Sequence, residues 1–312
     1  MTPNSRLAID KKQKIAFISS PFLGDSLISM VVIKNLYNNG YDVEVFSDYI
    51  FELRRWFPWA TIHPYLSQDN IKLRLSTYAT LMFLYETDIV DNTHQRHPNT
   101  VILSKFIHPD KNKEYIKIRG CLVENLMDLC RKSLHLNNVI GSNGMVFPQT
   151  LFHHKYPQRI IIHPTSRQKY RSWPKHKFVS LAKKLQKLGY EPNFIVNPQE
   201  RPQWVDVQND NLIGLPSFSS LDELAVYIYE SAWFLGNDSG IGHLASSLGL
   251  STITLAVRPG LARTWKPYWS ENTAIVPTAL LVSKRLKEKF WQHFITVNRV
   301  FKVVMRQPWV KQ

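Results

Sequence analysis

Apolar residues in this chain fall into short continuous runs separated by stretches with helical spacing, and the alternation recurs in both halves. Lys14 to Ser20 (Lys-Ile-Ala-Phe-Ile-Ser-Ser) is one such run, the pattern of a parallel strand covered on both faces. It gives way to Pro21-Phe22-Leu23-Gly24-Asp25-Ser26, after which Leu27 to Tyr37 has helical periodicity up to a stop at Asn38-Asn39-Gly40. The alternation of Tyr41 to Ser47 predicts a second strand, Thr61 to Tyr65 a third, and Thr87 to Asn92 a fourth after an apolar helical stretch. Residues 94–119, rich in His, Lys, Arg, Asn and Pro, predict an irregular basic segment, and Leu122 to Leu134 a helix.

The pattern changes character at Gly141-Ser142-Asn143-Gly144 and through Pro148 and Pro157, which predicts a boundary between a first domain, residues 1–145, and a second, residues 146–282. The second half repeats the theme. Arg159 to His163 reads as a strand, His163 to Pro174 as a basic loop, and Lys175 to Leu188 as an amphipathic helix stopped by Gly189. Glu191 to Val196 is the next strand, Leu221 to Glu230 a helix, Ala232 to Leu235 a strand, and Ser251 to Ala256 another, followed by a loop at Arg258-Pro259-Gly260. Strand and helix alternating in both halves predict an α/β protein of two parallel-sheet lobes, whose ligands bind beyond the carboxyl ends of the strands.

The chain is organised around Phe234 to Leu250, a short strand, a glycine-rich turn carrying Asp238 and Ser239, and the start of a helix. Gly236, Gly240 and Gly242 permit close backbone approach, Asp238 or Ser239 can cap the helix, and its first-turn amides can accept phosphate. His243 falls on that first turn. An ordinary strand-to-helix cap with a structural Asp and a buried His fits these residues equally well.

Composition adds a partner class. Lys and Arg number 39 against 24 Asp and Glu in 312 residues, a net charge of +15 that attracts phosphate-rich partners: nucleic acid, an anionic membrane surface or a phosphorylated glycolipid. A hydrophobic content of 44% supplies two cores. Cys121 and Cys130 stand nine apart in a predicted helix, a spacing without metal or redox signature, and suit a reducing compartment. No apolar run reaches the roughly 18 to 20 residues that span a bilayer, and Met1 to Lys14 is polar, unlike a secretory signal. The expected location is the cytoplasm.

Three loops in order, Ser19-Ser20-Pro21-Phe22-Leu23-Gly24-Asp25, His163-Pro164-Thr165-Ser166 running to Arg171-Ser172-Trp173-Pro174, and Gly236-Asn237-Asp238-Ser239-Gly240-Ile241-Gly242-His243, together resemble the bacterial lipopolysaccharide heptosyltransferases. The resemblance implies a GT-B fold: two Rossmann-like domains facing across a cleft, acceptor bound in the first and nucleotide-sugar donor in the second. It also implies that the C-terminal helix, residues 283–312, crosses back onto the first domain. The implied reaction is inverting, metal-independent transfer of heptose from ADP-heptose, a substrate rather than a cofactor, to the Kdo/heptose inner core of lipopolysaccharide.

Residue by residue, Asp25 matches the family's general base, with a helix cap as the alternative. Thr165, Ser166 and Arg171 match the diphosphate-binding residues; the family's Lys is replaced by Arg171, and Lys169 lies near enough to be the true partner. Trp173 and Pro174 read as structural. Glu200 aligns with a carboxylate that bonds the donor ribose, or is an exposed loop residue. Asp238, Ser239 and Gly240 match the donor-binding turn, and His243 either contacts the leaving phosphate or is held between helix and sheet.

On the acceptor side the family's His-x-x-Glu-Arg pattern is missing: Cys121-Leu122-Val123-Glu124-Asn125 stands there instead. The acceptor residues stay open, with Arg54, Arg55, Arg96 and Arg119 as candidates beside Lys72, Arg74, Lys111, Lys113 and Lys117. Leu281 to Met305 carries Lys284, Arg285, Lys287, Lys289, Arg299 and Lys302 among Phe290, Trp291, Phe294, Val297, Val300, Phe301 and Val304. At helical spacing this is a basic helix with one buried face, able also to touch the inner face of the inner membrane. The expected protein is a monomeric, peripheral enzyme. Two rival classes make poor fits: an NAD-type oxidoreductase needs Gly-x-Gly-x-x-Gly after the first strand, where only Gly24 stands, and a nucleic-acid binder needs a recognisable module. A related transferase with another donor or core acceptor remains the nearest alternative.

Overall fold

The structure is a computed structural model and describes residues 11–65, 75–85, 97, 99–107, 120–209, 213–278, 286 and 289–310. It divides into two compact units, Met1–Pro148 and Gln149–Gln312. The division falls within the glycine- and proline-rich stretch where the sequence changes character.

In the first unit a parallel sheet is built from β1 (Ile15–Ile18), β2 (Val43–Phe46), β3 (Thr61–His63), β4 (Thr80–Phe83) and β5 (Thr100–Ile102) in the order β3-β2-β1-β4-β5. β1 and β4 are buried along their whole length, as central strands with helices on both faces must be. Helix α1 (Leu23–Asn38) follows β1 and is buried on most of its circumference, from Leu27 to Ile33 without a break, because it packs against α4 (Leu122–Lys132) as well as the strands. It stops at Gly40, whose φ of +80° only glycine adopts freely; Gly40 N and Tyr41 N bond back to Tyr37 O and Leu36 O and use up the last carbonyls. Two short helices, α2 (Asp48–Glu52) and α3 (Ser104–Ile107), also belong to the unit.

The predicted strand Thr87 to Asn92 lies outside the described residues. The strand that pairs with β1 on the side away from β2 is Thr80–Phe83, inside the stretch read as helical: a threonine and three apolar residues carry no periodicity that separates a strand from a helix. β5 and α3 likewise lie within the segment read as irregular.

The second unit holds another parallel sheet: β6 (Tyr156–His163), β7 (Glu191–Phe194), β8 (Ser231–Asn237), β9 (Thr252–Leu255) and β10 (Asn272–Ile275), in the order β10-β9-β8-β6-β7. Its helices are α5 (Lys175–Gln186), α6 (Leu221–Tyr229), α7 (Gly240–Ser247) and α8 (Pro259–Thr264); α8 and β10 were not foreseen. Among the described residues the C-terminal segment forms two short helices, α9 (Trp291–Phe294) and α10 (Val297–Val304), separated where Thr296 caps α10 by accepting from Arg299 N. The sequence reading assigns this segment to the first domain. Its buried residues Trp291, Ile295, Val300 and Val304 instead join the second unit's core, where α10 packs on α5. Among the described residues no helix is long and apolar enough to cross a membrane.

Glu44 on β2 ties together the polar side chains of the first sheet, accepting from Tyr78 Oη (2.5 Å), His63 Nε2 (2.7 Å) and Lys14 Nζ (2.9 Å). Burial pushes its pKa up, but the bonds from Tyr78, Lys14 and His63 outweigh that and hold it at about 2. The folded state therefore binds fewer protons than the unfolded one between roughly pH 2 and 4.5, so the stability Glu44 confers is complete above the ordinary carboxylate range and is lost as pH falls toward 2. Glu44→Gln should cost about 2 kcal/mol at pH 7, the scale of hydrogen bonds to a charged group, with the difference vanishing in urea melts near pH 2.

Candidate active site

In each sheet the strand order reverses once, and that is where two neighbouring strands send their following chains in opposite directions and leave a crevice at their carboxyl ends. The first crevice lies between β1 and β4 and the second between β6 and β8. All three loops singled out in the sequence leave from these strand ends.

At the first crevice α1 begins at Leu23, four residues before the periodicity suggests, so Gly24 and Asp25 sit in its first turn and Phe22 occupies the cap position without a capping side chain. The capping alternative for Asp25 thus has no hydrogen bond behind it. Its Oδ2 accepts from Ser20 Oγ (3.1 Å), while its backbone carbonyl takes Ser29 Oγ (2.8 Å), and Ser26 Oγ donates to Ser20 O (2.9 Å). Burial raises the Asp25 pKa to about 6, against the opposing bond from Ser20. A carboxylate so placed is ionised at neutral pH yet unusually basic. Two further hydroxyls in this unit, Ser19 Oγ and Tyr85 Oη, are buried and have no hydrogen-bond partner among the described residues.

At the second crevice, Asn237 at the end of β8 donates from Nδ2 to Pro164 O (2.6 Å) and accepts Trp173 N on Oδ1 (2.9 Å). This buried amide ties both ends of the loop between β6 and α5 to the turn after β8, and the sequence reading passed over it. Gly236 lies beside it because a Cβ there would come within 2.7 Å of His163 O. His163 is buried and donates from Nδ1 to Ile195 O (2.7 Å), which fixes its tautomer, and burial lowers its pKa. Glu200, half-buried on the turn after β7, is close enough for its charge to act on His163.

Thr165 and Ser166 follow directly, both half-buried. Lys169 and Arg171 share a short 3-10 turn; Lys169 is exposed, whereas Arg171 is half-buried, its Nε donating to Tyr170 Oη (3.3 Å). The C-terminal segment braces this loop: Trp291 Nε1 donates to Tyr170 O (2.8 Å), Gln292 Nε2 to Ser172 O (2.7 Å), and Trp173 Nε1 to Ile295 O (2.8 Å).

Asp238 has its pKa raised by burial to about 6, with the Arg171 guanidinium acting the other way. Of the two, Arg171 is the cation the structure brings to the turn. Ser239, not Asp238, holds the cap position of α7, yet its Oγ is buried without a partner, and no hydrogen bond engages the amides of Gly240 and Ile241 among the described residues. An anion at that helix end would meet free donors and the positive end of the helix dipole. His243 is buried against Trp269, and burial lowers its pKa to about 4, so it is uncharged at neutral pH. Any contact it makes with phosphate is that of a neutral imidazole.

Arg54 and Arg55 are exposed and lie over the Phe51 and Trp56 rings. Arg96 and Arg119 lie outside the described residues, as do Lys72, Arg74, Lys111, Lys113 and Lys117. Among the described residues no group of His, Cys, Asp and Glu could hold a metal ion.

Removing the Asn237 amide strands a buried carbonyl and a buried N–H at once. Asn237→Ala should cost about 2 to 4 kcal/mol in chemical denaturation; a loss under half the lower figure would show that the loop and the turn stand without it.

Known proteins bear on these arrangements. Residues 116–298 match glycosyltransferase family 9 (heptosyltransferase). Lipopolysaccharide heptosyltransferase 3 of Escherichia coli (strain K12) is 29% identical over 119 residues, 36% of this chain and 34% of that protein, so the match spans about a third of the relative's length. Among solved structures, a family 9 glycosyl transferase from Veillonella parvula superposes with a TM-score of 0.72 at 15% identity, over 96% of this chain and 98% of that one. The E. coli ADP-heptose lipopolysaccharide heptosyltransferase II does so at 0.67 and 16%, over 93% and 96%. At such identities the superpositions speak for the fold, two Rossmann-like parallel-sheet domains of the GT-B type. The family match carries more: the chain is a glycosyltransferase and belongs to glycosyltransferase family 9, the heptosyltransferases.

Proposed function

We propose that the protein transfers heptose from ADP-heptose to the Kdo/heptose inner core of lipopolysaccharide, inverting the anomeric centre without a metal ion or cofactor. The observation that carries this reading is the pairing of chemistries at the two crevices: a desolvated carboxylate, Asp25, with its pKa at about 6, in one unit, and Arg171 with an unengaged helix end in the other. The first is what a general base for a sugar hydroxyl requires, and the second what a departing nucleoside diphosphate requires.

In this reading Asp25 takes the proton of the acceptor hydroxyl as its oxygen bonds to the anomeric carbon, and the bond from that carbon to the diphosphate breaks with its electron pair leaving on ADP. Arg171, with Lys169 as the alternative cation, and the amides at Ser239 and Gly240 meet the charge that develops. Thr165 and Ser166 line the same anion site, Glu200 holds the ribose hydroxyls, and Asp238 orients the sugar. His243 serves as an uncharged packing residue behind the turn. The acceptor is anionic and lipid-anchored, which suits a protein of net charge +15 working as a peripheral monomer at the inner face of the inner membrane.

The reaction itself is tested by transfer of radiolabelled heptose from ADP-heptose to lipopolysaccharide cores truncated at successive positions, with EDTA present. No transfer to any core, or activity abolished by EDTA and restored by a metal, overturns the corresponding part.

Asp25→Asn should lower turnover by roughly 10²- to 10⁴-fold, the range of a lost general base. It should not lower the melting temperature at pH 7, because a carboxylate whose pKa is raised on folding weakens the folded state once ionised. Wild-type kcat/KM should rise with pH through about 6, and this limb should vanish in Asp25→Asn. Retention of more than about a tenth of wild-type turnover removes Asp25 from the chemistry.

Removing both cations, Lys169→Ala with Arg171→Ala, should weaken ADP binding roughly ten- to a hundred-fold, the scale of one charge-assisted phosphate contact. Equal affinity by calorimetry would move the anion site elsewhere.

A further inference from the structure

Tyr85 is absent from every motif in the sequence, and it lies in the stretch read as helical. The structure places it at the carboxyl end of β4, the other wall of the crevice that holds Asp25. The register makes the neighbourhood explicit: Ile18 pairs with Phe83, and two residues further along each chain come Ser20, which bonds Asp25, and Tyr85. Charge confirms the proximity, since the Asp25 carboxylate acts on the Tyr85 hydroxyl.

That hydroxyl is buried and makes no hydrogen bond among the described residues; Ser19 Oγ, on the β1 side, is in the same condition. A buried polar group without a partner weakens the folded state, so such groups are rare unless something outside the chain completes them. An unmet hydroxyl at the end of the neighbouring strand, near a carboxylate whose one side-chain hydrogen bond among the described residues comes from Ser20 Oγ, calls for a ligand with adjacent hydroxyls. A phenylalanine at position 85 would fill the same space without the unmet donor.

We infer that Tyr85 is a positioning residue for the acceptor, its hydroxyl donating a hydrogen bond to the sugar oxygen next to the one that Asp25 deprotonates. This rests on the reading of Asp25 as the acceptor's base. Neighbouring hydroxyls of a sugar ring lie a hydrogen-bond length apart, so a carboxylate and a phenol on adjacent strands can hold the pair at once. The two groups cannot exchange roles. Burial, then the charge of Asp25, pushes the Tyr85 pKa far above its ordinary value, which keeps the phenol protonated as a donor and leaves Asp25 the single base.

The test is Tyr85→Phe in the intact enzyme, assayed with ADP-heptose and whichever of two core acceptors, one ending in Kdo and one in a first heptose, the wild type uses. A loss of roughly ten-fold in kcat/KM for the acceptor is expected, carried by KM, with the KM for ADP-heptose unchanged. The melting temperature of the ligand-free variant should equal or exceed that of wild type, because the lost hydroxyl has no hydrogen-bond partner among the described residues. An acceptor analogue lacking the hydroxyl beside the nucleophile should lose the same factor with wild type and nothing further with Tyr85→Phe. Acceptor KM within two-fold of wild type overturns the inference, and so does a lower melting temperature with both KM values disturbed, which marks a structural role. Failure of the underlying reading looks different: wild type itself transfers to neither acceptor.

Discussion

The second unit depends on one buried carboxamide. Asn237 holds Pro164 O and Trp173 N with its two ends, and these partners lie 73 and 64 residues away along the chain. An amide is the side chain for this task because it offers a donor and an acceptor in one plane and carries no charge to bury. An aspartate would meet Pro164 O with a second acceptor, and a leucine would leave both backbone groups unpaired. With the amide in place, the loop carrying Thr165, Ser166 and Arg171 and the turn carrying Asp238 and Ser239 have one geometry. Gly236 adds the steric half of the same constraint, since β8 lies too close to His163 O to admit a Cβ.

Each unit builds its crevice with the same economy. The sheets differ in order, β3-β2-β1-β4-β5 in one and β10-β9-β8-β6-β7 in the other, but each reverses once, and each presents a carboxylate at the reversal with its pKa raised to about 6. The cause is the same in both, removal from water near a helix start, while the compensation differs. Asp25 has a neutral hydroxyl against it and Asp238 a guanidinium nearby, and burial outweighs both. Two similar side chains in similar turns thus meet different partners.

Much of this was legible in the residues. Runs such as Ile15 to Ile18 and Ile160 to Ile162 are apolar because both faces are covered, and glycine stops such as Gly40 mark helix ends because only glycine takes that φ cheaply. The three loops were visible because their chemistry is local: glycine, aspartate and serine at a strand end. What the sequence hid is what depends on distance. The four residues of β4 are a strand because β1 and β5 flank them, and nothing in Thr-Leu-Met-Phe says so. Tyr85 inherits its place from that pairing. The role of Asn237 is invisible for the same reason, as is the use of the C-terminal apolar face, where helical spacing announces a buried side but not which core receives it.

That last feature also sets an order of events during synthesis. The loop with Arg171 is held by Trp291, Gln292 and Ile295, residues about 120 positions further along the chain, through three hydrogen bonds and the indole packing between them. A nascent chain leaving the ribosome can close its first sheet, and then its second, while this loop still lacks its buttress. Contacts of such long sequence separation form late, because the entropy of closing the intervening chain must be met first. The loop with Arg171 is therefore among the last parts of the second unit to acquire its shape, and a polypeptide halted before residue 290 would lack both these three bonds and the core residues Trp291, Ile295, Val300 and Val304.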